Sequence, residues 1–380
     1  MTVRKTPSLA LLAGATMLVT LAACDSKSDT AGAAGDGPIK VSASDTACEV
    51  SATTAGAGNL TFEITNKGTK VTEFYLYAEG DRIMGEVENI APGLNRRLIV
   101  EVADAGKYQT ACKPGMSGTG IRGDFTVTGG VAKQNNADAQ KAQATKSYAD
   151  YIANNTAALQ DETAKFADLV KTGKADEAKA AYARTRIYYE RIEPVAEKFG
   201  DLDPAIDVRE ADLQQGQQFT GFHRLEKDLF KTGLQPDSGQ IADKLVTDVK
   251  DLVAKTKTLE LSALDLANGA KGLLDEVATG KITGEEEAFS HTDLWDFQAN
   301  VDGSKGAITS LRPILQAKDP ALVSTLDKEF ANVQALLDKQ RAGDGFKLYT
   351  ELSQDQVKEF ASAVDALSEP LSKVAEVVSK

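Results

Sequence analysis

Asp124-Phe125-Thr126-Val127-Thr128-Gly129-Gly130 closes one kind of chain and opens another. Its first five residues alternate polar and apolar, the period of a half-buried strand, and the paired glycines end the run. Upstream the same alternation recurs in Ile39-Lys40-Val41-Ser42-Ala43, in Leu60-Thr61-Phe62-Glu63-Ile64-Thr65 and in Arg97-Leu98-Ile99-Val100-Glu101-Val102. Asn66-Lys67-Gly68, Ala91-Pro92-Gly93 and Ala105-Gly106-Lys107 supply turn signals between them, so residues 38–130 read as an all-β sandwich. Beyond a polar linker at 131–145, apolar residues recur every three or four positions to the C-terminus. Residues 146–380 should therefore be all helix. One stripe runs through Ala178, Ala181, Thr185, Tyr188, Ile192, Ala196 and Phe199, and Ser353 to Gln356 reads as a capping box opening the last helix.

The chain begins with Arg4 and Lys5, an apolar run from Leu9 to Leu21, and Leu21-Ala22-Ala23-Cys24. This is the pattern of an export signal ending in a lipobox, in which residues 1–23 are removed and Cys24 is lipidated. The lipid would then hold the protein on the outer face of the cytoplasmic membrane, with residues 24–37, rich in Ser, Ala, Gly and Asp, as a flexible tether. No other stretch has the length and apolarity to span a bilayer. A net charge of −13 argues against nucleic acid or anionic lipid as the main partner and suits a protein that attracts cations. Setting Cys24 aside leaves Cys48 and Cys112 of the three cysteines, an even pair in an oxidising compartment.

The two histidines are His223 and His291. His223 lies in Gly221-Phe222-His223-Arg224-Leu225-Glu226, where the H-x-x-E spacing puts imidazole and carboxylate on one helix face, able to point at one ion. A core histidine hydrogen-bonded to a neighbouring glutamate is the plain structural alternative. Glu190 and Glu193 form a second pair three residues apart, and one nitrogen with several carboxylates suits iron or manganese. Helical periodicity alone places Glu190 and Glu193 toward solvent; Pro194 after them opens the prospect of a kink that re-aims both.

Three segments, Tyr189-Glu190-Arg191-Ile192-Glu193-Pro194 with Gly200 to Asp207, then Gly221 to Glu226, then Ser290-His291-Thr292-Asp293-Leu294-Trp295-Asp296 to Asn300, together resemble the imelysin-like domain of the EfeO family. Cys48, Thr72-Glu73-Phe74-Tyr75, Glu88-Asn89-Ile90-Ala91-Pro92-Gly93 and the run from Gly106 to Cys112 resemble the cupredoxin-like domain that precedes it in that family. The resemblance implies a cupredoxin-like Greek-key β-sandwich followed by an all-α imelysin-like helical bundle. It implies an extracytoplasmic iron-binding lipoprotein that captures iron, Fe2+ or Fe3+, for a membrane iron permease and works beside a haem peroxidase. Asp207 joins His223, Glu226, Glu190 and Glu193 as a helical-domain metal ligand by this similarity alone.

In the β domain a blue-copper centre fails on composition, because residues 38–130 contain no histidine. Two readings of what is there stand side by side. One is a metal site of Cys48, Glu73, Cys112 and Met116, whose sulfurs favour copper and which would assist iron oxidation or relay. The other is a Cys48–Cys112 disulfide, contributing about 3 to 4 kcal/mol. Asp293, Asp296 and His291 read as ligands, as supports for ligands or as helix-start residues, with Ser290 or Thr292 as N-cap, and Glu285, Glu286 and Glu287 as a solvated acidic turn with one member within reach of the site. An imelysin-type zinc peptidase using H-x-x-E with His291 is the rival function. Against it, Arg224 stands where an H-E-x-x-H enzyme carries its general base.

Overall fold

The computed structural model describes residues 32–33, 37–129 and 137–380. The expected signal peptide, the expected lipidation site at Cys24 and most of the expected tether lie outside the described residues. Ten strands build the first part of the chain: β1 (Gly32–Ala33), β2 (Ile39–Ala43), β3 (Cys48–Val50), β4 (Ala52–Gly56), β5 (Gly58–Asn66), β6 (Thr72–Tyr77), β7 (Ile83–Ile90), β8 (Asn95–Val102), β9 (Gly106–Cys112) and β10 (Ile121–Thr128). They form two facing sheets, ordered β1-β4-β10-β9-β6-β7 and β3-β2-β5-β8. β2 pairs in parallel with β5, and β4 with β10, so the chain crosses between sheets instead of meandering.

Alternation explains the sandwich core. Every second residue of β5, Leu60, Phe62 and Ile64, is buried, and the Phe62 ring lies 5.1 Å from Phe74 and 5.7 Å from Phe125 of the opposite sheet. β6 is the exception, buried on both faces. Phe74 and Leu76 enter the core, while Glu73, Tyr75 and Tyr77 are covered from the other side.

The rest is helical, save for a short antiparallel hairpin of β11 (Arg341–Ala342) and β12 (Gly345–Phe346): α1 (Ala137–Lys171), α2 (Ala175–Glu190), α3 (Leu202–Asp207), α4 (Gly221–Lys227), α5 (Ser238–Thr256), α6 (Ala263–Thr279), α7 (Asp293–Lys318), α8 (Pro320–Asp338), α9 (Gln354–Leu371) and α10 (Val374–Ser379). α1 packs along α2, α5 and α7, and α6 lies between α7 and α9. α1 begins inside the stretch read as linker, because Ala139 to Ala144 is rich in good helix formers and Ala144 is already buried in the bundle. Ser353 caps α9 with the expected box to Gln356, although α9 is followed by one more short helix, α10. Among the described residues no helix is long and apolar enough to cross a membrane.

The helix expected over 178–199 stops at Glu190. A proline clashes with the carbonyl four residues before it, and for Pro194 that carbonyl belongs to Glu190. The chain turns there and continues as a 3-10 segment, Glu193–Phe199. Two glycines accept this turn. A Cβ on Gly269 of α6 would overlap the Pro194 carbonyl, and one on Gly303 of α7 the Arg191 carbonyl.

The β-sandwich and the bundle belong to one compact unit spanning Gly32–Lys380. Ile99 of β8 packs into the helical core, and the Asn268 side chain of α6 donates to the Ile99 carbonyl at 2.8 Å. Lys198 donates to the Ile83 carbonyl at 3.2 Å while pairing with Asp265 at 2.9 Å.

Candidate metal centre

Gly221 starts α4 with φ +80° directly against the last turn of α3, where a side chain would overlap the Ile206 carbonyl. That close approach brings His223 of α4 to Asp207 at the end of α3. His223 is buried, as is Glu226 one turn on, and Asp207 is only partly exposed. Glu226 Oε2 lies 3.3 Å from His223 Nδ1, and Glu226 Oε1 accepts from the backbone N–H groups of Phe289 and Ser290 at 2.8 and 2.7 Å. Glu226 therefore anchors the turn that carries Glu286 and Glu287 as well as orienting the ring.

His223 Nε2 is buried without a hydrogen-bond partner; Glu286 Oε1 at 3.7 Å and Asp207 Oδ1 at 3.8 Å are its neighbours. Ligand atoms of Asp207, His223 and Glu286 lie within 4.8 Å of one another, and so do those of His223, Glu226 and Glu287 and those of Glu190, Glu193 and Asp207. All five helical-domain candidates from the sequence thus fall into one connected cluster. An orphaned imidazole nitrogen facing carboxylates on several sides is a donor set that fits a hard or borderline cation.

Two cations already sit in the cluster. Arg186, fully buried in α2, meets Glu190 at 2.7 Å, Glu286 at 2.6 Å, Glu287 at 2.7 Å, Asp296 at 3.2 Å, and also Asp207. The ammonium of Lys281 meets Glu190 at 3.0 Å and both oxygens of Glu193 at 2.7 and 2.8 Å. One guanidinium cannot hold five carboxylates ionised, and burial pushes Asp296 and Glu287 well above the usual carboxylate range. Burial also lifts Asp207, against the pull of Arg186, to about 6. For His223, burial and Arg186 favour the neutral ring, but Glu226, Glu286 and Asp207 outweigh them and raise it to about 9. Protons and side-chain cations together balance a carboxylate excess.

Some of these groups the sequence reading missed, and others it left open between roles. Glu286 and Glu287 are buried, not a solvated turn, whereas Glu285 is half exposed. Asp296 points into the cluster from the first turn of α7, and Asp293 accepts from the Glu287 N–H at 3.1 Å. Arg186 precedes Glu190 by one helical turn, and the buried face of α2 keeps Ala178 and Thr185 of the expected stripe but takes in Tyr182, Arg186, Tyr189 and Glu190 in place of Ala181 and Tyr188. Glu190 is accordingly buried and Glu193 only partly exposed, contrary to the periodicity. Thr292 occupies the N-cap position of α7 without capping it, and the Ser290 hydroxyl donates to Glu287 at 2.8 Å. His291 joins none of the three ligand groups.

In the β domain, Cys48 and Cys112 are joined in a disulfide linking β3 to the end of β9. This corrects the copper-site reading, because bonding the sulfurs to each other removes both thiolate ligands. Glu73 is buried, takes a hydrogen bond from the Tyr75 hydroxyl at 3.0 Å and is raised to about 7 by burial and by Glu88. Met116 is exposed. Both line a cleft of about 630 Å3 whose opposite wall carries Glu193, Asp207, Lys281 and Glu286, so the helical cluster opens toward the β domain.

The imelysin family model matches residues 144–374, and a cupredoxin-like domain model matches residues 13–127. The iron uptake system component EfeO of Escherichia coli O157:H7 is 39% identical over 362 residues, 94% of this chain and 95% of that one. The proteins of the same name from Escherichia coli K12 and Shigella flexneri share the same identity and coverage. Among solved structures, reduced auracyanin from Roseiflexus castenholzii aligns with 24% of this chain and 95% of its own, at 16% identity and a TM-score of 0.21. The chain therefore belongs to the EfeO family, with a cupredoxin-like domain in front of an imelysin domain.

Proposed function

We propose that this protein captures iron outside the cytoplasmic membrane, at the cluster centred on His223, and delivers it to a membrane iron permease. The observation that carries this reading is the buried His223 Nε2, without a hydrogen-bond partner and facing Asp207 and Glu286. A buried imidazole nitrogen left unpaired amid a surplus of carboxylates is costly unless a cation or proton offsets it. Iron is the cargo, held by His223, Asp207 and Glu286, with Glu226 orienting the ring through Nδ1 and Glu190 and Glu193 behind them; the relatives' name as iron uptake components supports the choice of ion. A haem peroxidase of the same system is the second proposed partner, and lipidation at Cys24 would keep the protein near the permease.

The β domain's share is the cleft. Glu73 and Met116 face the same opening as the cluster, on the path an ion would take to it. Copper binding by Cys48 and Cys112 requires the disulfide to be reduced first. The peptidase reading needs His291 as third ligand, and His291 lies outside the groups that His223 forms.

Anaerobic Fe(II) titration of the mature protein, with His223→Ala alongside, tests the assignment. The variant should keep its helical content and lose affinity by about 10- to 100-fold. Equal affinity in the two proteins would reject His223 as a ligand.

A further inference from the structure

The carboxylates of Glu190, Glu193 and Asp207 are close enough to hold an ion, yet a side chain already fills part of that position. The Lys281 ammonium lies 2.7 to 3.0 Å from Glu190 and Glu193 and 3.7 Å from Glu286. Asn300 completes the cage, donating to Glu190 at 2.9 Å and to Glu193 at 2.7 Å.

The two buried cations differ in what they are free to do. Arg186 is wholly enclosed, with its planar fork spread over five carboxylates, so moving it would strand all of them. Lys281 lines the cleft and rides on a short 3-10 segment, Lys281–Thr283, bounded by Gly280 and by Gly284 at φ +77°. Its flexible stem can carry the ammonium out to water without disturbing a helix.

We propose that Lys281 is an internal stand-in cation: it occupies the Glu190–Glu193 carboxylates and yields them to an incoming metal ion by swinging into the cleft. This rests on the His223 cluster binding a cation. The exchange has a functional consequence. A site holding its own replacement cation never exposes bare buried carboxylates when the cargo leaves, so release is easier and affinity lower than the donor set alone would give. Lys281 thus sets affinity and off-rate and is not itself a ligand.

The test is Lys281→Met, which keeps the stem's volume and removes the charge. Anaerobic Fe(II) should bind the variant about tenfold or more tighter, because the ion then relieves unpaired buried carboxylates. Its release to an excess of chelator should be slower by a similar factor. Unchanged or weaker binding and unchanged release would overturn the proposal. A measurement on the unaltered protein covers the case in which the variant does not fold: amine acylation at Lys281, read by mass spectrometry, should rise when Fe(II) is added. Equal or lower labelling with Fe(II) bound would overturn it too. If the unaltered protein and His223→Ala bind Fe(II) equally or not at all, the failure is of the underlying site instead.

Discussion

His223 was legible because histidine is scarce in this chain and the H-x-x-E spacing is a helix-face signal independent of burial. Its partner Asp207 was not legible in that way, since it depends on a contact between α3 and α4 that Gly221 permits at φ +80°. Arg186 escaped because a basic residue in a helix reads by default as solvent-facing. Only the tertiary structure shows it encircled. The residue scale yields a pH prediction. His223 is raised to about 9, so at pH 7 it carries a proton that a metal ion must displace. Iron binding should therefore release protons at neutral pH and strengthen as pH rises toward 9. Calorimetric heats measured in buffers of different ionisation enthalpy should diverge accordingly; buffer-independent heats would contradict it.

At the scale of elements, the sequence reading located β2 to the residue and β5, β8 and β10 within a few residues, because each buries one face and so alternates. It failed where no period exists. The 284–292 turn is neither helix nor strand, so nothing in its spacing distinguishes Glu285, half exposed, from Glu286 and Glu287, which are buried. The distinction comes from Glu226, which pins the Phe289 and Ser290 backbone and pulls the turn inward. The α2 stripe was incomplete for a related reason: Arg186 and Glu190 lie on its buried face, where an apolar pattern cannot show them. Glu286→Gln should weaken iron binding by about 10-fold or more, while Glu285→Gln should leave it within about twofold, as outside the cluster. Titration of the two variants side by side decides this, and equal losses would return the whole turn to a merely electrostatic role.

For the molecule as a whole, the change of period at Gly129 was enough to separate sandwich from bundle, but not to dock them. Docking uses Ile99 and Asn268, an apolar residue and an amide that carry no signal of their own. Its result is the cleft that sets Glu73 and Met116 opposite Glu193, Lys281 and Glu286, and gives the helical cluster an approach lined by both domains. Of the many acidic residues read from composition, Glu73, Glu88, Glu193, Asp207, Glu276 and Glu286 line this cleft. The most direct test of iron capture at this place is anomalous diffraction at the iron edge from crystals of the iron-loaded mature protein. The account predicts a peak bonded to His223 Nε2 and shared with Asp207 and Glu286. Iron bound only outside the cluster, for instance at Glu73 and Met116, would contradict it.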